Sequence, residues 1–132
     1  MPHFYALLAK ACEIAGEVRE ALTQFDHALQ IVENTGQRWL AAELNREKGQ
    51  LMFREGQFEP AERLYRKALD IAREQGAKLW ELRAAASLAR FHRSQGCRSE
   101  AYDLLAPVYG WFTEGLDLQD LKDAKALLDE LG

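Results

Sequence analysis

Small and large apolar residues recur along the chain at an interval of 40. Ala21, Ala61 and Ala101 fall in register, as do Ala28 with Ala68, Leu29 with Leu69 and Ile31 with Ile71. Glycines divide that interval, because Gly16, Gly36, Gly56, Gly76 and Gly96 stand 20 apart. Glycine ends helices by accepting the left-handed conformation at the position after the last turn. Each interval of 20 is therefore one helix with its turn, and the unit that repeats is a pair of helices. Periods of ~20 to 50 residues mark stacked repeats, in which no unit hides its own apolar face and each packs on its neighbours.

The pattern places helices near residues 4–15, 17–34, 38–55, 59–74, 78–94 and 99–112. Pro60 stands at an expected first turn, where a missing N–H costs nothing, whereas Pro107 falls inside the sixth pattern and predicts a kinked or divided helix. After Gly115, Asp117 and Asp120 offer a cap and an acidic first turn, and Leu121, Ala124, Leu127, Leu128 and Leu131 share one face. This seventh helix, near 117–131, reads as a cap whose outer face, with Asp117, Asp120, Asp123, Asp129 and Glu130, is acidic and solvated.

Tyr5, Leu8, Ala9, Gly16, Ala21, Phe25 and Ala28 resemble the tetratricopeptide pattern of an aromatic, leucine, small residue, glycine, alanine, aromatic and alanine. Gly49, Gly56, Ala61, Tyr65 and Ala68 repeat it, with Asn45 and Lys48 in place of the aromatic and leucine. Leu88, Ala89, Gly96 and Ala101 begin a third copy, which diverges at Leu105 and Val108. Small residues belong at these places because paired helices approach to ~8–10 Å only where the crossing side chains are short. The resemblance implies an all-α, right-handed superhelical solenoid of three long helix pairs, at 2–36, 37–76 and 77–115, with the cap completing one unit over residues 1–132.

A narrower likeness lies in the second half. Gln75 to Lys78, Glu81 to Ala85, Ser87 to Arg90, Leu104 to Gly115 and Asp120 to Ala124 resemble the extreme C-terminus of large bacterial signalling proteins. In those relatives a cyclase or DNA-binding domain precedes an AAA-type ATPase and a long repeat array. None of these catalytic modules is represented in the 132 residues, so the resemblance implies only a sensory or scaffolding segment.

Composition narrows the function classes. A formal net charge of −4 and a pI near 5.4 argue against a nucleic-acid surface over most of the molecule. The longest nearly continuous apolar stretch, Leu104 to Phe112, is far shorter than the ~20 residues that cross a bilayer. The N-terminus shows neither a basic region nor a small-residue cleavage site, so a cytoplasmic location is expected. Cys12 and Cys97 lack zinc-type spacing and are expected to be reduced, structural thiols. No phosphate-cradling loop or nucleophile motif occurs, so no catalytic residue, metal or cofactor is assigned. His92 and Cys97 could be drawn as a nucleophile pair, but His92 shares the repeat offset of Cys12 and Met52, a packing position. Trp39 and Trp80, at successive helix starts, read as core or turn packing.

In the family that the chain resembles, the first helix of each pair lines a concave groove. Register places Lys10 and Glu13 there in the first repeat, Glu43, Arg46, Gln50, Phe53 and Arg54 in the second, and Arg83, Ala86, Arg90, Arg93 and Ser94 in the third. The carboxylate clamp of some relatives is not expected, because Ala6 and Lys10 stand where it needs lysine and asparagine. Arg83 and Arg90 are seven residues apart and Arg93 follows at i+3, so the three share a face. The expectation is a protein or peptide partner with an acidic segment, bound by Arg46, Gln50, Arg54, Arg83, Arg90 and Arg93 with Phe53 as an apolar anchor. The alternatives are a small-molecule effector lined by Phe53, Arg54, Arg90 and Arg93 and a purely structural end-cap; self-pairing through the N-terminal edge that carries Phe4, Tyr5 and Leu8 is a further expectation beside the peptide partner.

Overall fold

Three connections set the path of the chain, and they are chemically alike. In a computed structural model that describes residues 18–35, 40–116 and 118–132, six helices follow one another: α1 (Val18–Thr35), α2 (Ala41–Arg54), α3 (Phe58–Gln75), α4 (Lys78–Ser94), α5 (Arg98–Gly110) and α6 (Gln119–Leu131). After α2, α3 and α4 the backbone turns at Gly56, Gly76 and Gly96, with φ of +79°, +66° and +82°. Each glycine N–H donates to the carbonyl three residues back, at 3.0, 3.1 and 3.0 Å. The next N–H, of Gln57, Ala77 or Cys97, donates to the carbonyl five residues back, at 2.8, 3.0 and 2.8 Å. This paired arrangement closes a helix on a left-handed residue and satisfies carbonyls that would otherwise be orphaned.

The short connections fold each helix back on the one before. α2 packs on α3, α3 on α4, α4 on α5 and α5 on α6, while α4 also packs on α2 and α6. Contacts thus join sequential helices and alternate helices, the arrangement of a solenoid. The described helices begin and end within a few residues of the positions expected from the sequence, and α4 coincides with them. The helix expected at 4–15, the edge residues Phe4, Tyr5 and Leu8, the groove residues Lys10 and Glu13, and Trp39 lie outside the described residues. Pro107 does not divide α5, which runs through it and ends three residues later at Gly110.

Two clusters of buried side chains form the core. Phe25 and Val32 of α1 pack with Leu44 and Leu51 of α2 and with Ile71 and Ala72 of α3. Tyr65 and Leu69 on the other part of α3 join Leu82 and Leu88 of α4, Leu105 of α5 and Leu121 and Leu127 of α6. α3 is the wall common to both. The alanines in register, Ala21, Ala61, Ala101, Ala28 and Ala68, are fully buried, as the close crossing of paired helices demands. Trp80 is partly buried against the first cluster, which is the packing role expected of it.

Candidate functional site

The first helices of successive pairs, α2 and α4, stand side by side, and α6 continues their row. A cavity of about 340 Å³ opens along them. Glu43, Arg46 and Glu47 of α2 form one wall, Arg83, Ala86 and Arg90 of α4 the floor, and Asp120 and Asp123 of α6 the other wall. The helices place these residues there by turn spacing: Arg83 and Arg90 are two turns apart, and Glu43 and Arg83 occupy equivalent positions 40 residues apart.

Arg83 is the hub of the cavity. Its Nη1 donates to Glu43 Oε1 at 2.7 Å and its Nε to Asp120 Oδ2 at 2.8 Å, so one guanidinium ties α2, α4 and α6 together. Arg46 forks the same Glu43 carboxylate, Nε to Oε2 at 2.8 Å and Nη2 to Oε1 at 3.0 Å. Burial by itself would raise the Glu43 carboxyl, but the hydrogen bonds and charges of Arg46 and Arg83 outweigh it and hold the group below its ordinary value. Burial likewise opposes the charge of Arg83, and Asp120 and Glu43 more than restore it. On α3, burial pushes the Tyr65 hydroxyl up to about 12, against the opposite pull of the Arg46 and Arg90 charges.

The structure brings Arg46, Arg83 and Arg90 together and leaves the other expected site residues outside this lining. Gln50 is half-buried on α2, and Arg54 is exposed in its last turn. Phe53 is built into an aromatic cluster, 5.7 Å from Phe58 and 5.6 Å from Phe91, both edge to face. Arg93 donates to the Glu130 carboxylate of α6. Of the four residues expected to line an effector site, Phe53, Arg54, Arg90 and Arg93, only Arg90 lines this cavity. Apart from Arg90, the cations of α4 are engaged: Lys78, with Arg73 of α3, holds the buried Glu81, Arg83 holds Glu43 and Asp120, and Arg93 holds Glu130. The acidic face of α6 is accordingly not all solvated, because Asp120 and Glu130 turn to α4. The sequence allows the acidic cap to neutralise groove arginines but names no pairs; Asp120 with Arg83 and Glu130 with Arg93 are those pairs. The available signal was the offset of 37 residues from Arg83 to Asp120 and from Arg93 to Glu130, nearly the period of the repeat. His92 is buried, in keeping with a packing position.

The hub makes a prediction about acid. A carboxyl depressed by folding contributes stability above its unfolded pKa, and that contribution is lost as pH falls through the folded pKa. Wild-type protein therefore loses the Glu43 contribution on acidification below the ordinary value of 4.5. Arg83→Met removes part of it at neutral pH already, costing about 1–2 kcal/mol there after allowance for the partial exposure of the pair. Urea midpoints across the acid range check this: the gap between wild type and variant narrows as pH falls, and parallel profiles refute the hub.

The sequence profile of the tetratricopeptide repeat matches residues 3–74. The fold is similar to that of BtubC (BKLC) from P. vanneervenii, with a TM-score of 0.76 and 19% identity over 98% of this chain and 61% of that one. The chain thus spans less than two thirds of that protein. It is also similar to the N-terminal domain of stress-induced protein-1 (STI-1) from C. elegans, with a TM-score of 0.69 and 17% identity over 96% of this chain and 93% of that one. Among curated proteins, none matches in sequence. The profile covers more than half of the chain, the observed helix pairs repeat as it requires, and the chain belongs to the tetratricopeptide repeat family.

Proposed function

We propose that the chain is a non-catalytic protein-interaction module whose groove along α2, α4 and α6 takes an extended partner segment, with Arg90 receiving an acidic side chain. One observation carries this reading: Arg90 lines the cavity and, among the described residues, has no carboxylate at ion-pair distance, whereas Arg46 and Arg93 each hold one and Arg83 holds two. The expected set of Arg46, Gln50, Phe53, Arg54, Arg83, Arg90 and Arg93 is thereby concentrated on one guanidinium, with Arg46 beside it. Glu47 and Asp123 on the flanking walls select against a uniformly acidic ligand. The segment that fits carries a single carboxylate at Arg90 rather than a run of them.

The sequence blocks from Gln75 to Ala124 extend the proposal to context: the module is the sensory or scaffolding end of a bacterial signalling protein that works in the cytoplasm. Self-pairing through Phe4, Tyr5 and Leu8 would use an edge outside the described residues.

The test is affinity capture from the source lysate over a salt series, with wild type and Arg90→Glu as baits, after matching their helicity. Arg93→Glu is unsuitable, because it would repel Glu130 and disturb α6. Reversal of Arg90 is expected to weaken recovery of the specific partners at least about tenfold, and added salt to reduce wild-type recovery. Equal recovery by both baits at every salt concentration rules out the groove as an acidic-segment site.

A further inference from the structure

We infer that a second binding site, outside the groove, accepts an arginine side chain of a protein partner in the cavity between the N-terminal turns of α3 and α5. This cavity measures about 360 Å³ and is closed below by the last turn of α4. Its floor is aromatic. Phe58, the first residue of α3, remains 45% exposed although it meets Phe53 and Phe91 edge to face, at 5.7 and 6.5 Å. Phe91 lies behind it, against Tyr65 at 6.4 Å.

Carboxylates outnumber cations in the polar lining, with Glu59, Glu62 and Glu100 against Arg66. Glu59 and Glu100 stand in the first turns of α3 and α5, and Glu62 is balanced by Arg66 at 2.9 Å. A helix N-terminus carries about half a positive charge, so the two helix ends offset only about half of the Glu59 and Glu100 charge. His92 points to a ligand independently of the acids. It is only 7% exposed, lines the cavity, and makes no side-chain hydrogen bond among the described residues. The nearest carboxylate oxygen, Glu100 Oε2, is 3.8 Å from its Nδ1, beyond hydrogen-bond reach. The donors nearby are already engaged: Arg66 with Glu62, the Gln95 amide with Ser94 Oγ at 3.1 Å, and Cys97 Sγ weakly with the Gln95 carbonyl.

The chemistry of the occupant follows from that inventory. An anion is repelled by Glu59 and Glu100, and an apolar side chain would desolvate them without compensation. A guanidinium meets every requirement, because it is rich in donors, forks a carboxylate and stacks on an aromatic face.

The probe is N-acetyl-arginine methylamide titrated into the full chain, read by NMR at the His92 imidazole and the Phe58 and Phe91 rings. The control is N-acetyl-citrulline methylamide, which keeps the shape and loses the charge. Saturable shifts confined to those three residues are expected with arginine and not with citrulline. The Glu59→Gln, Glu100→Gln double variant, altered only at exposed carboxylates, is expected to weaken the arginine response at least about tenfold. Phe58→Ala is expected to weaken it while leaving the His92 resonance of the free protein near its place. Equal shifts with citrulline, shifts that do not include His92 or Phe91, or undiminished binding by the double variant would each overturn the site. None of these readouts involves Arg90, so the groove stands or falls separately.

Discussion

Replacing Tyr65 with alanine is expected to lower stability by about 3–5 kcal/mol, the cost of emptying a buried aromatic site that cannot fully collapse. The ring is 2% exposed and sits where three helices meet. It belongs to α3, packs on Phe91 of α4, and lies so close to α2 that a Cβ at Gly49 would come within 2.9 Å of its Cδ1 and Cε1. That last contact yields a sharper test. Alanine is a better helix former than glycine by about 1 kcal/mol, so on propensity alone Gly49→Ala should stabilise α2. The ring reverses the sign, because the added methyl must push α2 away from α3, at a cost of about 1–3 kcal/mol. In a Tyr65→Leu background the obstructing ring atoms are gone, and Gly49→Ala is expected to be neutral or stabilising. Urea midpoints of the four proteins complete the cycle. The same sign for Gly49→Ala in both backgrounds would mean that the glycine is there for another reason.

The parts of this molecule that could be read from sequence are those governed by local chemistry. Glycine at a left-handed position and alanine at a close crossing are requirements on single residues, so Gly56, Gly76 and Gly96 marked helix ends and Ala61 and Ala101 marked buried faces without knowledge of the tertiary arrangement. The groove was legible only as a face. Register put Arg46, Arg83 and Arg90 on it, but whether an arginine is free depends on what the neighbouring helix presents, and that is fixed by the stacking of α6 on α4. Asp120 and Glu130 looked solvated because the opposite side of α6 carries the leucines, and a helical wheel has no means of showing that its flank meets Arg83 and Arg93. Phe53 illustrates the converse. Its register is that of a groove anchor, yet three further aromatic rings, Phe58, Phe91 and Tyr65, gather at that end of α2 and α4, and burial against them outweighs a place on the open face. Pro107 stayed inside α5 because the helix ends only one turn later, so the lost hydrogen bond lies near a terminus.

Truncating Leu121 to alanine is expected to cost about 2–5 kcal/mol and to open the groove from one side first. α6 is held in two ways. Its polar ties are Asp120 to Arg83, Glu130 to Arg93, and the Glu130 carbonyl to Arg98; such partly exposed pairs contribute about 0–1 kcal/mol each. Its apolar tie is the burial of Leu121, Ala124, Leu127 and Leu131 against α4 and α5, and a fully buried leucine alone is worth about 1.5–3 kcal/mol. The apolar face therefore decides whether α6 stays docked, and the ion pairs decide the register in which it docks. Because the cluster around Phe25 and Leu44 contains no residue of α6, losing Leu121 should loosen the molecule unevenly. Amide exchange in Leu121→Ala is expected to accelerate most in α6 and in the parts of α4 and α5 it covers, with α1 and α2 still protected at the same time points. Arg83→Met combined with Leu121→Ala should cost less than the sum of the separate losses, since an undocked α6 no longer offers Asp120 to Arg83. Exchange that rises evenly from α1 to α6, together with strict additivity, would show that α6 is not a separately opening wall of the groove but an inseparable part of one cooperative unit.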